Sequence, residues 1–165
     1  MARALALLAA LLAACAKPPA DLAVAKGSVV KLHVTLKAGG KTIDTTRDKG
    51  PLVLTEGSRQ VLAGLEDKLL GMKVGEKKTF QVPPSKAYGP VNPRAFLRVA
   101  RASFSDPHDV VLGHRIRGQL QGQAFQASVY GFDDQGVVLD LNHPLAGKTL
   151  TFEVEVVDLL PPTAH

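Results

Sequence analysis

From Ser28 onward the chain alternates apolar and polar positions: Val30, Leu32, Val34 and Leu36 are separated by Lys31, His33 and Thr35. A strand sends successive side chains to opposite faces, so this stretch predicts a strand buried on one side. His33 falls on the polar face, where a solvated role accounts for it better than a ligand role. Gly39-Gly40 then tolerates positive φ, and Thr42-Ile43-Asp44-Thr45 follows as the return strand of a hairpin. Gly50-Pro51 breaks the chain before Leu52-Val53-Leu54. Between Ser58 and Leu70 the period lengthens, with Val61, Leu62, Leu65, Leu69 and Leu70 at helical spacing and Arg59, Glu66, Asp67 and Lys68 polar. This predicts one short amphipathic helix, capped by Ser58 and ended by Gly71. Lys78 to Val82 reads as a strand leading into Pro83-Pro84. A final one-face strand is predicted where Leu150, Phe152, Val154 and Val156 alternate with Thr151, Glu153 and Glu155. The fold class is therefore α+β, mainly β, with an antiparallel sheet wrapped on a short helix.

The texture changes between Tyr88 and Leu141, where Gly, Pro, Gln and Arg are frequent. Short apolar runs such as Val110-Val111-Leu112, Ala127-Ser128-Val129-Tyr130 and Val137-Val138-Leu139 alternate there with turn signals, which reads as a second, smaller β-rich unit. The 94–117 portion holds five arginines against two aspartates, and a run of this kind is more often a solvated face than a nucleic-acid surface.

The N-terminus follows a different logic. Twelve of the first fourteen residues are Ala or Leu, with Arg3 near the start. A bilayer-spanning helix needs about 20 apolar residues, so residues 1–14 read as a secretory signal and not as an anchor. Leu12-Ala13-Ala14-Cys15 resembles a bacterial lipobox, which implies lipidation of Cys15 and removal of the peptide before it. The alternative is a buried free cysteine behind an ordinary signal. Residues 15–26, with Pro18-Pro19, then form a stiff tether that lifts a domain from a membrane surface. Ala16 replaces the Asp associated with inner-membrane retention, so this resemblance implies the outer membrane in a Gram-negative cell.

Composition narrows the function classes. At 165 residues the chain has room for one domain with an appendage or for two small ones. Its single cysteine rules out an internal disulfide, and with five scattered histidines no Cys/His metal cluster has a recognisable spacing. The net charge of +5 is too dilute to name a nucleic-acid partner. No H-E-x-x-H, dinucleotide fingerprint or Ser/His/Asp grouping is present, and the two Gly-Lys-Thr triplets have Thr35 and Asn142 where a phosphate loop has its leading glycine.

Three separated segments carry a family resemblance: Gly57-Ser58-Arg59-Gln60-Val61-Leu62-Ala63-Gly64-Leu65-Glu66; Leu70-Gly71-Met72-Lys73-Val74-Gly75-Glu76 with Pro83-Pro84-Ser85-Lys86-Ala87-Tyr88-Gly89; and Asn142-His143-Pro144-Leu145-Ala146-Gly147-Lys148-Thr149-Leu150. The chain resembles the FKBP-type peptidyl-prolyl isomerases, and the third segment resembles their SlyD branch, in which a chaperone domain is inserted in the flap. The resemblance implies an isomerase domain over 27–89 and 141–160, an insert over 90–140 and a tail over 161–165. It implies Asp44, Tyr88 and Phe152 as catalytic residues. Val34, Leu52, Val61, Leu62 and Leu65 would be substrate-binding, with Val61 and Leu62 as pocket floor and backbone donor. Val61, Leu62 and Phe152 would also be core residues in any fold of this pattern, whereas an Asp within a strand needs a reason.

The chain departs from the family at Val34, where many members carry a tyrosine, at Leu52, where a Phe is common, and at Leu65, where drug-binding members have Trp. It also lacks the branch's histidine-rich metal tail, so no metal and no cofactor is expected. Insert residues Phe96, Leu97, Val99, Phe104, Val110, Val111, Phe125 and Tyr130 are candidates for client binding, some of them also forming the insert's own core. The resulting expectation is an isomerase with chaperone activity on X-Pro bonds of unfolded or partly folded exported proteins. It would bind no nucleic acid and be lipid-anchored on the periplasmic side of a bacterial envelope, with the oligomeric state open and a monomer favoured. The alternatives are a client-binding holdase with a decayed pocket, and an envelope scaffold.

Overall fold

The computed structural model describes residues 22–105, 110–120 and 122–162. The signal segment 1–14, Cys15 and the first part of the expected tether lie outside these residues. Among the described residues no helix is long and apolar enough to cross a membrane.

The described residues form two antiparallel sheets and one short α-helix. The first contains β1 (Val29–Ala38), β2 (Lys41–Thr45), β3 (Leu52–Thr55), β4 (Lys77–Val82) and β9 (Leu150–Leu160). Its order is β2-β1-β9-β4, with β3 also paired to β1. β1 and β2 are joined by Gly39 and Gly40 at φ +56° and +78°, with Ala38 opposite Lys41. Positive φ at both central residues matches the turn to the right-handed twist of its strands, as the glycine pair predicts.

The predicted alternation holds along β1, where Val30, Leu32 and Val34 are buried while Lys31 and His33 are half-buried. β9 repeats it with Leu150, Phe152, Val154 and Val156. Both strands turn these residues onto α1 (Ala63–Leu69), whose Leu65 and Leu69 complete the core. Burying each such side chain stabilises the fold by about 1.5–3 kcal/mol. At Gly64 an added Cβ would lie 2.3 Å from Val82 Cγ1, so only glycine lets the helix approach β4 this closely.

The helix is shorter than the apolar spacing predicts. Leu62, not Ser58, occupies its N-cap position, and the Ser58 hydroxyl donates to the Thr55 carbonyl at 2.6 Å. Arg59 has φ +59°, which turns residues 57–62 into a loop. Gly71 does adopt positive φ just beyond the helix. The expected tether also ends early: Val24 is buried, Leu22 packs on the same core, and the Val24 N–H donates to the Met72 carbonyl at 2.8 Å.

The second sheet contains β5 (Phe96–Val99), β6 (Arg115–Leu120), β7 (Gln123–Asp133) and β8 (Gly136–Asp140), in the order β5-β8-β7-β6. All four strands lie in sequence between Tyr88 and Asn142. The Val110-Val111-Leu112 run joins no strand; it leads into a turn in which the His114 N–H donates to the Val111 carbonyl at 3.0 Å.

Candidate active site

A cleft of about 530 Å³ opens between the first sheet, the loop before α1 and the turn that carries Tyr88. All eight residues expected at the site line it: Asp44, Tyr88, Phe152, Val34, Leu52, Val61, Leu62 and Leu65. Its floor is apolar because β1 and β9 present their inward faces there. Val34 and Phe152 are buried on adjacent strands and Leu65 closes the base from the helix. The Phe152 ring stacks on Phe80 of β4, with centroids 5.9 Å apart, so packing holds this wall from behind.

The rim is polar. Asp44 stands opposite Leu36 in the β1–β2 register. Its Oδ1 accepts from Lys49 Nζ at 2.6 Å and from the Thr45 N–H at 2.9 Å. The Lys49 hydrogen bond, then the Thr45 amide, hold its carboxyl below the usual carboxylate range, so Asp44 is ionised at neutral pH. With 62% of its side chain exposed, it sits at the mouth of the cleft and not on its floor. The hydrogen-bonded Lys49 and Thr45 explain how an acid is kept at the end of this strand. Thr46 continues the strand line: its hydroxyl accepts from the Val34 N–H at 2.9 Å and its own N–H donates to the Val34 carbonyl at 2.9 Å.

The loop 56–62 is shaped by side chains that reach back to its backbone. Gln60 Oε1 accepts from the Thr55 N–H at 3.1 Å, and Glu66 Oε1 accepts from the Arg59 N–H at 2.9 Å. This second bond fixes the left-handed Arg59 and with it the path of Gln60, Val61 and Leu62 along the cleft. As N-cap of α1, Leu62 has an N–H with no intrahelical acceptor.

Five cleft residues were missed from sequence: Leu36, Thr45, Thr46, Arg59 and Gln60. Leu36 lies two residues beyond Val34 on the same strand, so the period of two carried a signal for it. Arg59 and Gln60 sit within the family segment, but helical spacing assigns Arg59 to the polar face of a helix and singles out no role for Gln60.

On the second sheet, the eight residues expected to bind clients do not share a face. Leu97, Val99, Phe104 and Phe125 line a groove of about 400 Å³ with Ile116 and Leu139. Val110 packs half-buried against the same small core. Phe96 projects to the opposite side, where it meets Tyr130 edge-on with centroids 4.9 Å apart. Val111 is exposed in its turn. Alternation on β5 separates Phe96 from Leu97 by geometry alone. Exposed Phe132 and Leu112 were not singled out from sequence; the Arg101 guanidinium lies 4.9 Å from the Phe132 ring centroid.

An apolar cleft with a polar rim suits a reaction that breaks no bond. Rotating an X-Pro amide must overcome a barrier of about 18–20 kcal/mol because twisting removes resonance. The twisted amide is less dipolar than the planar one, so a dry apolar floor favours it relative to the ground state. Donors at the rim can hold a carbonyl while the bond turns.

The sequence profile of the FKBP-type peptidyl-prolyl cis-trans isomerases matches residues 21–157. The chain belongs to that family. It is 37% identical to the probable FKBP-type 16 kDa peptidyl-prolyl cis-trans isomerase of Pseudomonas fluorescens, covering 85% of this chain and 94% of that protein. The FKBP-type 16 kDa isomerase of Escherichia coli is 33% identical, with 84% and 95% covered. The isomerase SlyD of Aeromonas hydrophila is 36% identical, with 86% of this chain but 67% of that protein covered.

Proposed function

We propose that the cleft between the first sheet and the 56–62 loop isomerises X-Pro bonds of unfolded or partly folded exported proteins, and that the second sheet holds the client while the bond turns. The observation that carries the reading is the convergence of Asp44, Tyr88, Phe152 and the five apolar residues on one cleft. In this reading Phe152, Val61 and Leu65 supply the dry surface for the proline ring, and the Leu62 N–H and the Tyr88 hydroxyl hold the flanking carbonyls. Asp44 sets the field at the mouth.

The chaperone role is supported by the groove over Leu97, Val99, Phe104 and Phe125 and by the exposed Tyr130 and Phe132. Apolar surface of that kind suits a loosely held unfolded chain. Anchoring at Cys15 on the periplasmic side is supported by the Ala/Leu-rich leader and by a family match that starts only at residue 21.

Cis/trans exchange of an Ala-Leu-Pro-Phe peptide, followed by magnetisation transfer, tests the chemistry without a coupling protease. Enhancement is expected, with kcat/KM falling about tenfold or more, or about 1.4 kcal/mol, in Tyr88→Ala and in Asp44→Ala. No enhancement over the blank would leave a client-binding holdase. Deleting residues 90–140 is expected to slow refolding of protein substrates, and unchanged refolding rates would refute the client-holding role.

A further inference from the structure

Tyr88 belongs to two settings at once. Its side chain lines the cleft, yet its ring lies flat against the imidazole of His143, with centroids 3.8 Å apart and planes within 5°. His143 lies three residues beyond the end of β8, at the neck of the second sheet, and is held there by two sets of hydrogen bonds. Its Nδ1 accepts from the Leu145 N–H at 3.2 Å, which fixes the ring plane and leaves the proton of the neutral ring on Nε2. The preceding residue, Asn142, clasps the incoming chain: Oδ1 accepts from the Asn92 N–H at 2.8 Å, and Nδ2 donates to the Asn92 carbonyl at 3.2 Å and to Asp140 Oδ1 at 2.7 Å. The Gly147 N–H closes the neck by donating to the Gly89 carbonyl at 2.8 Å.

We infer that His143 is a positioning residue, whose ring fixes the orientation of Tyr88 at the cleft mouth and joins the neck of the second sheet to the isomerase chemistry. Nothing else described in the turn Pro84–Gly89 holds the Tyr88 ring in plane; the Gly89 N–H to Pro84 carbonyl bond, 2.8 Å, fixes only the backbone. The ring of a residue that is 37% exposed and hinged on such a turn samples other rotamers unless a flat partner stops it. The inference rests on reading Tyr88 as substrate-facing, and the test separates the two.

The test is peptide exchange by magnetisation transfer on the intact protein, with three variants that divide the functions of His143. His143→Ala removes ring and acceptor, His143→Asn keeps an acceptor for the Leu145 N–H without the ring, and His143→Phe keeps a ring without the acceptor. Expected is a fall in kcat/KM of about tenfold in His143→Ala and His143→Asn, with His143→Phe within about threefold of wild type. In a Tyr88→Ala background His143→Ala should add nothing, the non-additivity of residues that act as a unit. The Tyr88 ring-proton shifts should move in His143→Ala and stay near their wild-type values in His143→Phe, which reads the stack directly.

Wild-type activity in His143→Ala would overturn the inference. So would activity in His143→Asn with loss in His143→Phe, because the Leu145 turn would then be the operative feature. Effects that multiply with Tyr88→Ala would also overturn it. If Tyr88→Ala is itself fully active, the reading of Tyr88 fails first, and the inference falls with it at Tyr88 and not at His143.

Discussion

The two sheets bury very different amounts of apolar surface. The first closes over sixteen buried apolar residues drawn from the N-terminal segment, four strands, the helix, the loop after it and the chain just before β9. The second has four, Ala127, Val129, Val137 and Leu139, with half-buried neighbours around them. At about 1.5–3 kcal/mol for each large side chain, the first sheet carries its own stability and the second has little to spare. The cleft proposed to be catalytic lies on the well-buried side, where geometry must persist through turnover. The apolar groove proposed to hold clients lies on the lightly buried side, where a surface can yield to partners of different shape. On the proposed function, precision and adaptability fall to different parts of one chain, joined at the Asn92–Asn142 neck.

The largest effects should come from truncating each core. Leu69→Ala opens a cavity beneath the first sheet, with an expected cost of about 2–5 kcal/mol and loss of the whole fold's cooperativity. Leu139→Ala creates a similar local deficit in the smaller core and is expected to unfold the second sheet while β1 and β9 stay protected. Amide hydrogen exchange over residues 115–140 against 29–38 and 150–160 distinguishes the two. Equal loss of protection in both regions would mean a single cooperative unit and would break the comparison.

A smaller effect sharpens it. Gly118 faces Phe125 across the β6–β7 pair, and a Cβ there would lie 2.7 Å from Phe125 Cζ. Gly118→Val should push Phe125 out of the groove at a cost of about 1–3 kcal/mol to the second sheet. Protein refolding should then slow while peptide exchange stays at the wild-type rate. A refolding assay run beside the peptide assay would count against the division of labour if both fell together.

The smallest effect tests the first sheet's reserve. Glu56 is 5% exposed and its Oε2 has no hydrogen-bond partner among the described residues; burial, then the charges of Glu66 and Asp67, raise its carboxyl above the usual range. The native state therefore binds this proton more readily than the unfolded chain, so its contribution to stability falls as pH rises from the unfolded value through the raised one. Glu56→Gln should stabilise by about 1 kcal/mol at neutral pH, with the gain vanishing in acid. Glu155, lowered first by its Arg47 hydrogen bond, and Asp158, lowered first by Lys31, work the other way and lose their contribution as pH falls. Thermal melts of wild type and variant between pH 4 and 8 would refute this assignment if the two curves ran parallel.

Strand alternation and glycine turns made most of the first sheet legible, because β1 and β9 each have one wet and one dry face. The helix was read too long for a physical reason: Val61 and Leu62 are apolar because they line a cleft, and apolar spacing does not record which surface it serves. The insert's eight candidates divided between two faces once register was known, and sequence proximity cannot supply register. The Tyr88–His143 stack was invisible for a related reason, since the second sheet separates the partners in the chain and only closure of the neck brings them together.

The pairing of β1 with β9 has a consequence for biosynthesis. Val29 pairs with Leu160 and Ala38 with Leu150, so the central seam of the first sheet cannot form until nearly all the described chain has left the ribosome. β5 to β8 are contiguous and available earlier. The smaller sheet can therefore fold first, with β1 to β4 waiting for their last partner. Such long-range seams form slowly and leave strand edges open in the interval. A member of the peptidyl-prolyl isomerase family thus has a sequence-distant, late-closing step in its own folding.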